Sequence, residues 1–177
     1  MIDWSCIDTV LLDMDGTLLD LHFDNYFWSE HLPRTYATRH QISKEASSAY
    51  LYGECGAEQG TLQWYSLDHW SQRLDMDIAA LKRELQHMIS ARPFAIEFLT
   101  QLHHSHRDVV MVTNAHRKTL EIKMDNIDIT HWFDRVVVSH DLLAPKEEQD
   151  FWHRLQQLHP FDPSRTLLID DTEQVLA

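Results

Sequence analysis

Four short apolar runs are distributed along the chain, and each ends at small polar or acidic residues. They are "TVLLD" (9–13), "DVVMVTN" (108–114), "RVVVSH" (135–140) and "RTLLIDD" (165–171). A near-continuous apolar run is typical of a β-strand whose two faces are both covered by helices. The pattern therefore predicts four buried, parallel strands.

Segments with helical periodicity alternate with these runs, at 94–104, 118–126 and 147–158. Strands that alternate with helices of this length are typical of βαβ units. We therefore predict a Rossmann-like α/β fold of three layers, in which a parallel sheet lies between two layers of helices. In such a sheet, ligands bind outside the carboxyl ends of the strands. The residues expected to gather there are Asp13, Thr113, Ser139 and Asp170.

The stretch 20–91 contains no strand-like run and interrupts this alternation. Its pattern predicts helices at about 24–38, 43–52, 62–74 and 78–90, with turns at 53–60 and 74–77. Ser43 and Asp77 are suitable helix N-caps. We therefore predict a core domain of residues 1–19 and 92–177, and a helical domain of residues 20–91 inserted after the first strand, lying over the sheet edge like a lid.

Composition and charge argue against some classes of binding partner and favour one cellular location. The chain has 177 residues, 44% of them hydrophobic, and a formal net charge of -13. Such an acidic protein is not expected to bind nucleic acid or an anionic membrane, because both need basic patches. The chain has only two cysteines, and no apolar run approaches the length of a membrane span. Its first residues are acidic and lack the pattern of a signal peptide. These features favour a location in the cytoplasm.

Carboxylates concentrate at two of the predicted strand ends. Asp13 and Asp15 follow the first strand, and Asp170 and Asp171 follow the last. Buried carboxylates are costly unless they are paired or bind a metal, and hard oxygen ligands favour Mg²⁺. Gly16 permits a tight turn that lets a phosphate approach the backbone. The sequence therefore predicts a magnesium and phosphate site at this edge.

Each motif taken alone has a simpler interpretation. Asp13 and Asp15 could begin a calcium loop, but Leu18 stands where that loop needs glycine, Asp24 where it needs glutamate, and a strand comes before. The pair Asp170–Asp171 could cap a helix, Lys146 could be a surface lysine, and Thr113–Asn114 could be an ordinary turn. Only their occurrence together, in order along the chain, favours a catalytic site.

Taken together, the motifs resemble a known family. "DMDGT" (13–17), "TN" (113–114), Lys146 in "APKEE" and "IDD" (169–171) are similar, in the same order, to the four motifs of the haloacid dehalogenase-like (HAD) phosphatases. An insertion between the first and second motifs resembles the subclass with an all-helical, C1-type cap. Longer stretches resemble the bacterial nucleotidases of this superfamily that act on GMP and IMP; they are "LLDMDGTLLDLHFDNYFW" (11–28), "LQWYSLDHWSQRL" (62–74), "TNAH" (113–116) and "LLIDDTE" (167–173).

The resemblance implies a role for each matching residue. Asp13 is expected to be the nucleophile that forms an aspartyl phosphate, and Asp15 the general acid and base. Mg²⁺ is expected to be held by Asp13, Asp170 and the main-chain carbonyl of Asp15, with Asp171 orienting the ligands around it. The residues expected to bind the phosphate are Gly16, Thr113, Asn114 and Lys146.

The substrate is expected to be a small phosphomonoester, with purine 5′-nucleotides such as GMP and IMP as the first choice. Phe23, Asn25 and the segment 53–60 are expected to meet the nucleoside, although most cap aromatic residues are expected to serve packing. The rivals are a sugar-phosphate phosphatase or phosphomutase, and a catalytically idle, truncated domain that binds nucleotide. The family normally continues beyond the fourth motif, so the core is expected to be truncated at "EQVLA".

Overall fold

The computed structural model describes residues 2–176, and a four-stranded parallel sheet lies at its centre. The strands are β1 (Thr9–Leu12), β2 (Asp108–Thr113), β3 (Arg135–Val138) and β4 (Thr166–Ile169), in the order β3-β2-β1-β4. Central strand β1 is paired on both sides, with Thr9 opposite Asp108 of β2 and Thr166 of β4. The four predicted parallel strands are confirmed, each slightly shorter than its apolar run, but the predicted burial is complete only at the centre, since every residue of the edge strand β4 is half-buried.

Helices account for most of the remaining regular structure. The α-helices in residues 2–176 are α1 (His22–Tyr26), α2 (Leu32–His40), α3 (Lys44–Glu58), α4 (Leu62–Tyr65), α5 (Leu67–Leu74), α6 (Ile78–Glu84), α7 (Ala95–His104), α8 (Arg117–Met124), α9 (Gln149–Leu158) and α10 (Glu173–Leu176). A π-helical turn, Phe27–His31, joins α1 to α2. Short 3₁₀ turns lie at Trp4–Cys6, Gln86–Met88, Thr130–Trp132, Ser139–Leu142 and Pro163–Arg165.

Successive residues of β1 point into two different apolar clusters. Val10 and Leu12 pack with Leu99 of α7 on one face of the sheet, whereas Leu11 packs with Phe151 of α9 on the other. Because side chains alternate between the two faces of a strand, a run that is apolar throughout needs a helical layer on each side. This arrangement confirms the predicted three-layer α/β fold.

The inserted segment has a third apolar cluster, built mainly from its own helices. Phe23, Phe27 and Trp70 are its largest fully buried side chains. The two predicted N-caps are confirmed, because Ser43 Oγ accepts from Ala46 N and Asp77 Oδ1 accepts from Ala80 N. A separate cluster of this kind is compatible with the predicted helical domain 20–91, and its division from the core stays a prediction.

The turn predicted at 53–60 is wrong, because α3 continues through Gly53 and Gly56 to Glu58. Each helical glycine costs about 1 kcal/mol relative to alanine. The burial of Leu51 and the hydrogen bond from Ser47 Oγ to Pro33 O compensate by fixing α3 against α2. Tertiary packing therefore overrides local propensity in this segment.

The predicted helix 62–74 is divided at Ser66. The Ser66 side chain accepts from His69 N at 3.1 Å and begins α5, while its backbone N–H bonds to Gln63 O at the end of α4. A serine can compete with the helix in this way by capping its first turn. The predicted helix 78–90 likewise ends early, with α6 at Glu84 followed by the 3₁₀ turn.

Two neighbouring backbone segments connect the insertion to the sheet. Asp20 N donates to Ser90 O at 2.9 Å, and Arg92 N donates to Leu18 O at 2.8 Å. The chain thus leaves and re-enters the core at one point, beside the loop that follows β1. Among residues 2–176, every helix is too short or too polar to cross a bilayer.

Candidate active site

The loop that follows β1 carries the first motif and is closed by backbone hydrogen bonds. Gly16 N donates to Leu19 O at 2.9 Å, and Gly16 adopts a φ of 85°. This is the left-handed region that favours glycine. A Cβ at Gly16 would lie 2.0 Å from Asp171 Oδ2, so any side chain here would displace the Asp171 carboxylate.

A buried lysine joins the first motif to the last. Lys146 Nζ lies 2.5 Å from Asp13 Oδ1 and 2.5 Å from Asp170 Oδ2. Burial lowers the pKa of Lys146, but the two carboxylates outweigh that effect and leave the pKa above its ordinary value. The ammonium therefore stays charged, and three of the predicted site residues meet at the carboxyl ends of β1 and β4.

The carboxylates beside Lys146 fit a divalent cation. Asp13, Asp170 and Asp171 each offer one oxygen within 4.8 Å of the others. Asp13 Oδ2 is buried and has no hydrogen-bond partner among residues 2–176. Burial raises the pKa of Asp13 to about 7, with Lys146 opposing the increase and Asp170 adding to it. A cation at Asp13 Oδ2 would satisfy this atom and favour the ionised nucleophile.

Thr113 and Asn114 lie at the end of β2, and the structure gives their side chains different surroundings. Thr113 Oγ1 accepts from Ala115 N at 3.0 Å, which leaves its hydroxyl hydrogen for another acceptor. Asn114 Oδ1 accepts from Lys146 N at 2.9 Å, and its Nδ2 donates to Glu147 Oε2 at 2.9 Å. The Asn114 side chain therefore holds the loop of Lys146, and the contact with phosphate predicted for the Asn114 main chain stays a prediction.

Asp15 lines the same cavity as Asp13 but is not one of the three clustered carboxylates. Its Oδ1 is paired with the buried Lys123 of α8, and its side chain is 24% exposed. Burial raises the pKa of Asp15, although Lys123 opposes the increase. Asp15 therefore offers no side-chain ligand to the cation cluster, and the role predicted for its main-chain carbonyl stays a prediction. Because β1 precedes the motif directly, the calcium-loop interpretation does not apply.

A cavity of about 940 Å³ lies between the insertion and the sheet edge. The core residues that line it include Asp13, Asp15, Thr113, Lys146 and Asp171. The inserted residues that line it include Asn25, Trp28, Ser29, Ser48, Cys55 and Trp64. A space with an apolar, aromatic wall and a charged floor suits an organic phosphate whose phosphate group reaches the floor.

Phe23 is placed behind the cavity rather than in its wall. Its side chain is buried, and its ring lies 4.9 Å from Lys82 Nζ. Asn25 is exposed to the cavity as the sequence suggests, and Cys55 is the part of segment 53–60 that reaches it. Contact of Phe23 with substrate is therefore not supported by its position.

Several charged or polar residues around the site lie outside the four motifs. Lys82, Asp24 and Lys123 form a buried ionic chain that reaches Asp15. Tyr65 Oη donates to Glu147 Oε1 at 2.7 Å and so connects α4 to the loop of Lys146. The only sequence signal for the two lysines is their position on apolar helix faces, which is also typical of lysines whose stems pack at a surface.

Comparison with known proteins agrees with this geometry. The family model for haloacid dehalogenase-like hydrolases matches residues 10–175, so the chain belongs to the HAD-like hydrolase family. It is 38% identical over 175 residues to the GMP/IMP nucleotidase YrfG of Escherichia coli strain K12, covering 99% of this chain and 79% of that protein. The expected family is confirmed, and the chain is an enzyme of this hydrolase class, with the nucleotidase relative supporting a phosphatase.

Solved structures support the same fold. A HAD phosphatase from Thermococcus onnurineus has a TM-score of 0.80 at 20% identity, covering 95% of this chain and 79% of that one. The putative HAD-hydrolase YfnB from Bacillus subtilis, solved with bound magnesium, has a TM-score of 0.64 at 18% identity, with 94% and 78% covered. At these identities the likeness establishes the fold alone.

Proposed function

We propose that this protein is a Mg²⁺-dependent phosphomonoesterase that acts through an aspartyl phosphate on purine 5′-nucleotides such as GMP and IMP. The observation that carries the proposal is the buried Asp13, with one oxygen on Lys146 and the other unpartnered among the described residues, at the floor of the cavity. Such an oxygen is suited to meet an incoming phosphorus atom or a cation. The nucleotidase relative supports the choice of substrate.

In the first step, a carboxylate oxygen of Asp13 attacks phosphorus and the bond from phosphorus to the ribose O5′ breaks. Lys146 neutralises negative charge on Asp13 and Asp170, so that a phosphate dianion can approach them. Thr113 Oγ1 and the Asn114 main-chain N–H lie at the end of β2 and are proposed to donate to phosphate oxygens. This division into two steps replaces one difficult hydrolysis with two easier ones.

Asp15 is proposed to move the proton in both steps. It gives a proton to the departing ribose oxygen, and it then takes one from the water that attacks the aspartyl phosphate. It lies on the same loop as Asp13, two residues further on, and lines the same cavity, which supports this role. The second attack breaks the bond from phosphorus to Asp13 and releases inorganic phosphate.

The groups proposed to hold Mg²⁺ are Asp13, Asp170, Asp171 and the main-chain carbonyl of Asp15. Bound there, Mg²⁺ would supply positive charge for the transferring phosphoryl group. The unpartnered Asp13 Oδ2 and the set of hard oxygen donors support this assignment. The residues 20–91 are proposed to act as the cap that covers the substrate, and the cytoplasmic location stays a prediction.

Phosphate release from a panel of monophosphates, with and without Mg²⁺, tests the proposed function. We expect release from GMP and IMP to exceed release from sugar phosphates. A phosphomutase would instead convert a sugar phosphate into its isomer with little release of phosphate. A domain that only binds nucleotide would release none from any substrate, which would contradict the proposal.

Metal removal should abolish activity, and Mg²⁺ should stabilise the folded chain. A ligand that binds only the folded state at 100 times its Kd stabilises it by about 2.7 kcal/mol, which corresponds to a Tm increase of roughly 5–10 °C for a protein of this size. Phosphate release with chelator and thermal melts with Mg²⁺ are the measurements. Adding excess Mg²⁺ to the chelated sample should restore activity. Full activity in excess chelator would contradict the proposed dependence on Mg²⁺.

Changes in the cavity wall should alter the choice of nucleotide more than the chemistry. Asn25→Ala removes an amide exposed to the cavity, and a lost hydrogen bond of about 0.5–1.5 kcal/mol predicts a roughly 2- to 10-fold change in kcat/KM for one nucleotide relative to another. Hydrolysis of nitrophenyl phosphate, which has no base, should change little. Gln63→Ala is the matched control, because Gln63 is an exposed amide in α4 outside the cavity lining. Equal losses on all substrates would contradict a role in specificity.

A further inference from the structure

Four charged side chains form a continuous chain from the insertion to the first motif. Lys82 Nζ lies 2.5 Å from Asp24 Oδ1, Asp24 Oδ2 lies 2.5 Å from Lys123 Nζ, and Lys123 Nζ also bonds to Asp15 Oδ1. Asp24 is on α1, Lys82 on α6 and Lys123 on the core helix α8. The chain of contacts therefore spans both parts of the protein.

Both lysines in this ionic chain are almost completely buried. Lys82 and Lys123 are each 1% exposed, and the Phe23 ring lies 4.9 Å from Lys82 Nζ and 5.6 Å from Lys123 Nζ. A buried ammonium is costly unless carboxylates compensate it, and removing one partner is strongly destabilising. Stability alone explains such a costly arrangement poorly, since apolar side chains in place of a buried ion pair often give a protein that is equally stable.

The pairing of these four charges indicates what the ionic chain can do. Lys123 has two carboxylate partners, Asp15 and Asp24, and Asp24 in turn has two lysine partners. Because Asp24 is also paired with Lys123, the Lys123 ammonium keeps an ionised partner even when Asp15 carries the proton of a general acid. Asp24 therefore holds the Lys123 ammonium in place while Asp15 works, and Lys82 fixes the other oxygen of Asp24.

We propose that Lys123 and Asp24 are positioning residues that hold the Asp15 carboxylate in its working direction and connect it to the cap. The proposal rests on the proposed function, because it assumes that Asp15 serves the leaving group. Asp24 comes from the first cap helix, so the cap must be seated on the core for the ionic chain to be complete.

The test compares two leaving groups. A ribose oxygen needs a proton as it leaves, whereas nitrophenolate does not, so only the nucleotide reaction depends strongly on the aim of Asp15. In Lys123→Met we expect kcat for GMP to fall by about 10²-fold, the loss that a small misplacement of a catalytic group causes. The first turnover of nitrophenyl phosphate, followed by nitrophenol release after rapid mixing, should change by less than about 3-fold.

A second variant keeps the charges balanced in case Lys123→Met does not fold. Lys82→Met combined with Asp24→Asn removes one positive and one negative charge and leaves the Lys123–Asp15 pair intact. We expect the same selective loss for GMP, smaller at roughly 10-fold, because the anchor of Lys123 is gone. Lys118→Met is the matched control, because Lys118 also joins α8 to the insertion, through Asp68, but is 48% exposed. Its ratio of the two rates should equal that of the unmodified chain.

The outcomes separate this inference from the proposed function. An unmodified chain that hydrolyses no phosphomonoester overturns both. If the unmodified chain is active but the variants leave the ratio of GMP to nitrophenyl phosphate rates unchanged, or lower both rates equally, the positioning role is overturned and the proposed function stands. A selective loss for GMP in the variants, absent in Lys118→Met, supports the positioning role.

Discussion

Asp13→Asn is expected to lower phosphomonoester hydrolysis by at least about 10⁴-fold, because it removes the nucleophile of a two-step reaction. An amide nitrogen or amide oxygen cannot form the aspartyl phosphate. Hydrolysis of nitrophenyl phosphate should be lost as well, since even a substrate with a good leaving group needs an attacking oxygen. Steady-state phosphate release and rapid mixing with nitrophenyl phosphate are the measurements, and neither should show turnover or a burst.

The variant should nevertheless fold. Lys146 keeps Asp170 at 2.5 Å, so its buried ammonium retains a carboxylate partner, and the asparagine has nearly the shape of the aspartate. The substitution also removes a carboxylate whose pKa is raised to about 7 by burial, which offsets part of the lost ion pair. Thermal melts should show a folded chain with a smaller Mg²⁺-induced increase in Tm than the unmodified protein has.

Asp125→Asn is the matched control for this substitution, because Asp125 is an exposed aspartate just after α8, away from the carboxylate cluster. It should leave both activity and the Mg²⁺ effect unchanged. Hydrolysis by Asp13→Asn at more than a hundredth of the unmodified rate would show that another group attacks phosphorus.

The sheet was predictable from sequence because its two central strands, β1 and β2, are buried on both faces and the edge strands have apolar runs of the same kind. A continuous apolar run such as that of β1 has few alternatives, and a parallel sheet brings the ends of its strands to one edge. Asp13 and Asp170 could therefore be placed near one another without a structure. Lys146 was harder, since nothing in its local sequence shows that it points inward; its place in the motif series was the only signal.

The insertion was less predictable, for reasons that lie in packing. Gly53 and Gly56 suggested a turn, but α3 is held in place by contacts to α2 that are distant from them in sequence. The ionic chain that reaches Asp15 was also hidden, because its direct partner Lys123 is 108 residues away and Lys82, at the other end of the ionic chain, is 67 residues away. Ionic contacts between distant helices leave no periodic signature in a single sequence, so the residues that aim Asp15 emerge only from the folded chain.

The second large effect is expected in Asp15→Asn, and it should depend on the leaving group. General acid help is typically worth about 10²- to 10⁴-fold, and a ribose oxygen needs it whereas nitrophenolate does not. GMP hydrolysis should therefore fall by about 10²- to 10⁴-fold in its first step. The substitution is nearly isosteric and keeps the main-chain carbonyl of residue 15, so the predicted metal ligand at that position is unchanged.

Nitrophenyl phosphate should reveal the second role of the same residue. Its first step needs little help, but the attack of water on the aspartyl phosphate still needs a base, so the phosphorylated Asp13 should accumulate. Rapid mixing should then show a burst of nitrophenol near one equivalent per active site, followed by a slow steady state. A burst with nitrophenyl phosphate together with almost no hydrolysis of GMP indicates that the general acid and base is lost while the site is folded. A misfolded site would show neither the burst nor GMP hydrolysis.

Asp20→Asn is the matched control for Asp15→Asn, since Asp20 lies in the same connecting segment but its side chain accepts, within residues 2–176, only from His22 N, at 2.7 Å. It should show no burst and retain GMP hydrolysis. Turnover of GMP by Asp15→Asn at the unmodified rate would show that this carboxylate does not protonate the leaving group. A steady state as fast as the unmodified enzyme with nitrophenyl phosphate would show that it does not activate the water, and Lys123 and Asp24 would then have no proton carrier to position.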